Sequence, residues 1–138
     1  MSRKLPHPPV VVVTGASAGV GRAVVRRFAR DKARIGLIAR GMDGLEGAKR
    51  DVEMAGGEAL ACPCDVSDFQ AVDQAATRIE RELGPIDIWV NAAFAGMLAP
   101  FMDMTMEEYE RVTRVTYLGQ VHGTRAAASS RPTPDARR

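Results

Sequence analysis

Four consecutive valines, Val10 to Val13, run into Thr14-Gly15-Ala16-Ser17-Ala18-Gly19-Val20-Gly21, and this junction constrains the fold more than any other segment. β-branched residues at successive positions suit a strand buried on both faces, as in the centre of a parallel sheet. Each glycine then has its own reason to be there. Gly15 permits the tight turn out of the strand, Gly19 lets backbone N–H groups approach an anion with no Cβ in the way, and Gly21 lets the next helix pack close to the sheet. The start of that helix offers unpaired N–H donors and a partial positive charge. The junction reads as a strand–turn–helix unit built to cradle a phosphate, the sequence form of a dinucleotide-binding βα unit.

The remaining pattern alternates strands with helices. Strands are expected over residues 10–14, 35–39, 58–64 and 86–91. A first helix is expected over 20–30, with Val20, Val24 and Phe28 at helical spacing, and a second over 43–54, with Leu45, Ala48 and Val52 as its stripe and Gly56-Gly57 as its stop. Ser67 and Gln70 form a capping box for a third helix that carries Val72, Ala75, Ile79 and Leu83 and closes at Gly84-Pro85. A long last helix starts at Thr105, with Glu108 completing a second capping box. Tyr109, Val112, Thr116 and Gly119 share one of its faces, Val115 and Leu118 lie beside it, and it frays after Thr124. Such alternation implies an α/β fold, a Rossmann-like doubly wound parallel sheet of four strands in the order 3-2-1-4 with flanking helices. Residues 1–8 read as a proline-rich arm, 9–128 as one dinucleotide-binding domain and 129–138 as a polar tail. The fourth strand is an open apolar edge, a route to self-association, as is the last helix.

Composition excludes several classes. A 46% hydrophobic and 26% charged content is that of a water-soluble globular domain. A net charge of +2, with no arginine stripe interleaved with aromatics, argues against nucleic acid. The basic residues from Arg22 to Arg34 mostly fit the solvated face of a helix. The valine run is too short for a signal-peptide core or a membrane span, so no membrane partner and a cytoplasmic location are expected. Cys62 and Cys64 flank Pro63, too close for an unstrained disulfide, and read as thiols at a strand end. No metal-ligand spacing is present. His7 and His122 join no nucleophile–base set, and His122 fits a helix-packing or surface role.

Taken together, Thr14-Gly15-x-x-x-Gly19-x-Gly21 with Arg22 behind it, Asp65-Val66 after the third strand and Asn91-Ala92-Ala93 after the fourth resemble the short-chain dehydrogenase/reductase family over roughly residues 9–128. The resemblance implies cofactor contacts at Thr14, Gly15, Ser17, Gly19, Val20, Gly21, Arg40, Asp65, Val66 and Asn91, with Asp65 facing the adenine amino group. In the family's Asn-Asn-Ala-Gly motif, Asn91 matches the first asparagine, which steadies the sheet and lines the cofactor. Ala92 replaces the second and Phe94 the glycine. At the end of the second strand, where a carboxylate would bind the ribose hydroxyls of NAD, stand Ala39 and Arg40. A guanidinium there accommodates a 2′-phosphate, so NADP(H) is expected over NAD(H).

The family's reaction is hydride transfer between nicotinamide and an alcohol or carbonyl carbon, with a tyrosine as acid–base group and a lysine four residues on. Here Tyr109 is followed four on by Thr113 and Tyr117 by Val121, and the only lysines are Lys4, Lys32 and Lys49. Thr116 stands where the family's helix asparagine holds a water, and a threonine hydroxyl can hold one too. No complete catalytic set is present, and the turn into Ser129-Ser130-Arg131-Pro132 reads as truncation or a shifted frame. The expectation is an oxidoreductase by resemblance, retaining at most NADP(H) binding, with an alcohol or carbonyl substrate only if a second half is supplied. The alternatives are a non-enzymatic NADP-binding or interaction module, or one half of a split enzyme.

Overall fold

The computed structural model describes residues 7–130. The elements run β1 (Val10–Thr14), α1 (Gly19–Ala29), β2 (Arg34–Ala39), α2 (Met42–Met54), β3 (Glu58–Pro63), α3 (Phe69–Leu83), β4 (Ile88–Asn91), α4 (Met106–Thr113) and α5 (Gly119–Ser129), with a 3-10 turn at Phe101–Asp103 and a π turn at Arg114–Leu118 between α4 and α5. The four strands form one parallel sheet in the order β3-β2-β1-β4, as the alternation predicts. Residues 1–6 of the expected arm and 131–138 of the expected tail lie outside the described residues.

β1 is buried along its whole length because both faces of the sheet are covered. Val11 and Val13 point with Ile35 and Leu37 into a core closed by Val25 and Ala29 of α1 and Leu45, Ala48 and Val52 of α2. Val10 and Val12 point with Ile38 and Cys62 to the opposite face, against Val72, Ala76, Ile79 and Leu83 of α3 and against Val115 and Ala126. The period-2 alternation of strand side chains divides the valine run between the two cores. Helices on both faces follow from right-handed crossovers on either side of β1.

Four expectations need correction. α3 is capped by Asp68, not Ser67: the Asp68 carboxylate accepts from the amides of Gln70 and Ala71. The Ser67 hydroxyl instead donates to Asp65 Oδ1 at 2.8 Å, which leaves the cap to its neighbour. β4 starts at Ile88, because the Ile86 amide turns to Glu80 of α3, and the Asp87 carboxylate meets the amide of Val10 at 2.9 Å. The last helix begins at the expected Thr105–Glu108 capping box but is interrupted by the π turn. The turn changes the register, so that Val115, Gly119, Gly123 and Ala126 are buried while Leu118 is exposed. Nor does the helix fray after Thr124. It continues to Ser129, with Ala126 buried against the sheet and three successive alanines favouring helix.

Candidate functional site

The C-terminal ends of β1, β2 and β3 and the loop after β4 enclose a cleft of about 160 Å³. It lies at the point where the chain reverses its direction of winding, between β1 and β4, the position at which open α/β sheets bind ligands. Gly15, Ser17, Arg40, Asp65 and Val66 from the sequence-derived set all line it, joined by Arg111 and Val115. Thr14, Gly19, Val20, Gly21, Asn91 and Thr116 stand outside its lining.

The turn after β1 is shaped by close contacts. Gly15 has φ +69°, and a Cβ there would come within 2.6 Å of the Ala92 carbonyl oxygen. A Cβ on Gly21 would run into the Gly15 carbonyl, so α1 closes down on the turn at that point. Gly19, at φ +55°, has open space around it and is required by its backbone angle alone. The helix therefore starts with exposed residues Ala18, Gly19 and Val20, and the amides of Ser17 to Val20 make no hydrogen bond of good geometry with the described residues. Weakly held and free donors at a helix N-terminus beside glycines that leave the backbone bare suit a diphosphate.

Thr14 serves the scaffold. Its hydroxyl, 1% exposed, accepts from the amides of Ala92 and Ala93 at 3.1 and 3.2 Å and so ties the loop after β4 to the end of β1. Asn91 accepts from Trp89 Nε1 at 2.9 Å and donates to Thr124 Oγ1 at 3.1 Å, fastening β4 to α5. The Thr116 hydroxyl donates to the Ala95 carbonyl at 2.9 Å, and the Ala95 amide returns a bond to it at 3.1 Å. The π turn presents Thr116 to that loop. Phe94, in the glycine's place, lines the cleft with its ring 75% exposed.

Asp65 is held from both sides. Oδ1 accepts from the Ser67 amide at 3.0 Å and its hydroxyl, and Oδ2 accepts from Arg111 at 2.8 Å. Burial acts upward on its pKa, but the hydrogen bonds from Arg111 and Ser67 together prevail and hold the carboxyl down at about 2. Arg111 was invisible to sequence reasoning: it lies 46 residues from Asp65, on another element, with no motif around it. Cys64 also lines the cleft, and burial pushes its thiol up to about 11, so it is a neutral wall rather than a nucleophile. Cys62 and Cys64 are both free and buried. His122 packs, with Nδ1 at 2.7 Å from the Val66 carbonyl and its ring against Phe69.

Arg22 departs from the solvated-face expectation. Its side chain is 20% exposed, with Nε donating to Asp51 Oδ2 at 2.7 Å and a terminal nitrogen donating to the Ser17 carbonyl at 3.1 Å. Arg26 donates to the same Asp51 oxygen. The hydrogen bonds from Arg22 and then Arg26 lower the Asp51 pKa to about 2. Among the described residues no group of three His, Cys, Asp or Glu could hold a metal ion, and no helix is long and apolar enough to cross a membrane.

Comparison with known proteins bears on what this arrangement serves. The family model for short chain dehydrogenase matches residues 9–132. The chain is 36% identical over 121 residues to 2,3-dihydro-2,3-dihydroxybenzoate dehydrogenase of Bacillus subtilis, covering 86% of this chain and 46% of that protein. Among solved structures, L-sorbose reductase of Gluconobacter frateurii in complex with NADPH and L-sorbose superposes with a TM-score of 0.80 at 30% identity, over 89% of this chain and 47% of that one. NAD+-bound xylitol dehydrogenase gives 0.81 at 31% identity, over 88% and 47%. The chain thus spans less than half the length of each of these relatives. Its strand order, its glycine turn and the extent of the family match make it a member of the short-chain dehydrogenase/reductase family of oxidoreductases.

Proposed function

We propose that this chain forms the cofactor-binding part of an oxidoreductase site and takes NADP(H) in preference to NAD(H). One observation carries the preference: Arg40, at the end of β2, lines the same cleft as Gly15 and Ser17, and Ala39 beside it brings no carboxylate. In this reading the amides of Ser17 to Val20 hold the pyrophosphate, with Gly15, Gly19 and Gly21 keeping the backbone close. Arg40 meets the 2′-phosphate. Asp65 and the Val66 backbone hold the adenine edge, while Thr14 and Asn91 fix the strand ends and Thr116 fixes the loop after β4. The dinucleotide would supply or accept hydride for an alcohol or carbonyl substrate.

Neither tyrosine of the 138 residues has a lysine four positions on, so we assign to them binding without turnover of their own. The acid–base group and the substrate contacts would come from residues beyond this sequence. The half-buried β4 at the sheet edge favours a second reading, in which the chain works by associating with another polypeptide or with itself. A cytoplasmic location fits the two free thiols.

The test is a titration of the purified chain with NADPH and with NADH, followed by nicotinamide fluorescence. NADPH is expected to bind more tightly, and Arg40→Ser to weaken NADPH by roughly 10- to 100-fold while leaving NADH unchanged, the loss expected for charge-assisted hydrogen bonds to a phosphate. Equal affinity for the two cofactors, or an unaffected Arg40→Ser protein, would refute the preference.

A further inference from the structure

The underside of the phosphate turn is occupied by one side chain. Arg22 reaches back from the first turn of α1 to the Ser17 carbonyl, and its guanidinium is anchored by Asp51 of α2. The face of α2 that meets it is cut to fit. A Cβ on Gly44 would stand 2.6 Å from the Ser17 Cβ, and a Cβ on Gly47 would stand 3.2 Å from both terminal nitrogens of Arg22. Gly44, Gly47 and Asp51 are spaced three and four apart, so they form one stripe along α2. Two positions of that stripe are bare to admit the turn and the guanidinium, and the third carries the carboxylate that orients it.

The consequence lies in the peptide plane. The described chain has no cis peptide bond, and in a trans peptide the C=O of one residue and the N–H of the next point in opposite directions. Pinning the Ser17 carbonyl towards α2 therefore turns the Ala18 N–H away from α2. There it makes no hydrogen bond of good geometry with the described residues, and Ala18 is exposed. Rotation of this one peptide would replace a donor with a carbonyl oxygen facing the bound anion. We propose that Arg22 is the positioning residue of the phosphate turn, locking the Ser17–Ala18 peptide in its anion-binding orientation, with Asp51 as its anchor. The two arginines on Asp51 also leave this corner with a net positive charge, which suits an anion bound above it. This inference rests on the reading that the turn holds a dinucleotide pyrophosphate.

ADP and adenosine separate the phosphate grip from the rest of the site. The test is a titration of the 15N-labelled full chain with each, in wild type, Arg22→Lys and Asp51→Asn, read by amide chemical shifts. Wild type is expected to move the Ala18 amide with ADP but not with adenosine. Arg22→Lys keeps a charge and loses the planar fork. It is expected to weaken ADP roughly 10-fold, suppress the Ala18 shift and leave adenosine binding unchanged. Asp51→Asn is expected to do the same to a smaller extent, and it carries the test if Arg22→Lys fails to fold. An ADP affinity unchanged in the variants, or an equal loss of ADP and adenosine, would overturn the role of Arg22 alone. A wild-type chain that binds no ADP would overturn the phosphate reading with it.

Discussion

Replacing Thr14 by valine sets two physical effects against each other at one atom. The side chain is 1% exposed, and its oxygen accepts from the amides of Ala92 and Ala93. Valine has nearly the same shape, so the change leaves no cavity and adds apolar surface to a strand that favours it. On burial alone Thr14→Val should be neutral or stabilising. The hydrogen bonds argue otherwise. Each amide left without an acceptor costs about 1–3 kcal/mol. Both are half-buried, so water reaches them in part, and the sum falls near the lower end, about 2–3 kcal/mol. Thr14→Ser reverses the comparison: it keeps the acceptor and loses one methyl, at a cost of about 1 kcal/mol. The serine protein should therefore be the more stable of the two. With a urea slope of about 2 kcal/mol per molar, the valine midpoint should fall by about 1–1.5 M and the serine midpoint by about 0.5 M. Because Ala93, Phe94 and Ala95 line the cleft, the valine protein should also bind NADPH less tightly. Urea midpoints for Thr14→Val at or above those of Thr14→Ser would show that the double acceptor does not hold the loop.

Two further outcomes follow from the ionisable groups. The folded-state pKa of Asp51 is lowered from 3.8 to about 2, so its ion pairs contribute stability that is fully present above pH 4 and lost as the pH falls towards 2. Asp51→Asn should accordingly flatten the acid limb of a plot of urea midpoint against pH, and an unchanged limb would contradict the arginine pairing. The Cys64 thiol, raised to about 11, should have roughly one ten-thousandth of its population as thiolate at pH 7. Iodoacetamide should therefore label it much faster in urea than in the native protein, and equal rates would place the thiol in solvent.

What could be read from the sequence was whatever depends on local periodicity. The valine run, the stripe Leu45–Ala48–Val52 and the Thr105–Glu108 box each involve residues within a few positions of one another, and each appears in the structure where expected. The sheet order followed because right-handed crossovers leave few alternatives. The misses share a different cause. Ser67 and Asp68 are both good caps, and the choice between them is made by Asp65, which takes the serine hydroxyl. The π turn has no residue code of its own; it accompanies Thr116 meeting Ala95, a contact across 21 residues. Arg22 reads as part of a basic helix face and Arg111 carries no motif at all, because the carboxylates that hold them lie 29 and 46 residues away. Motif spacing located the turn and the strand ends of the candidate site, while the side chains that brace them were set by tertiary contacts.

The seam between β1 and β4 has a topological cost that the seam between β1 and β2 lacks. Val11 pairs with Ile35 on one side and Ile88 on the other, so closing the second pairing spans a loop about three times as long. The added closure entropy is about 1 kcal/mol. β4 also holds only four residues in register, at the rim of the sheet. Thermal opening should therefore begin as a hinge along this line, with β4 and α5 parting from an otherwise intact β1–β3 layer. The cleft lies across that line, taking Gly15 and Arg40 from one side and Ala93 and Phe94 from the other. A ligand seated there acts as a rivet, and its affinity is transferred by mass action to this seam.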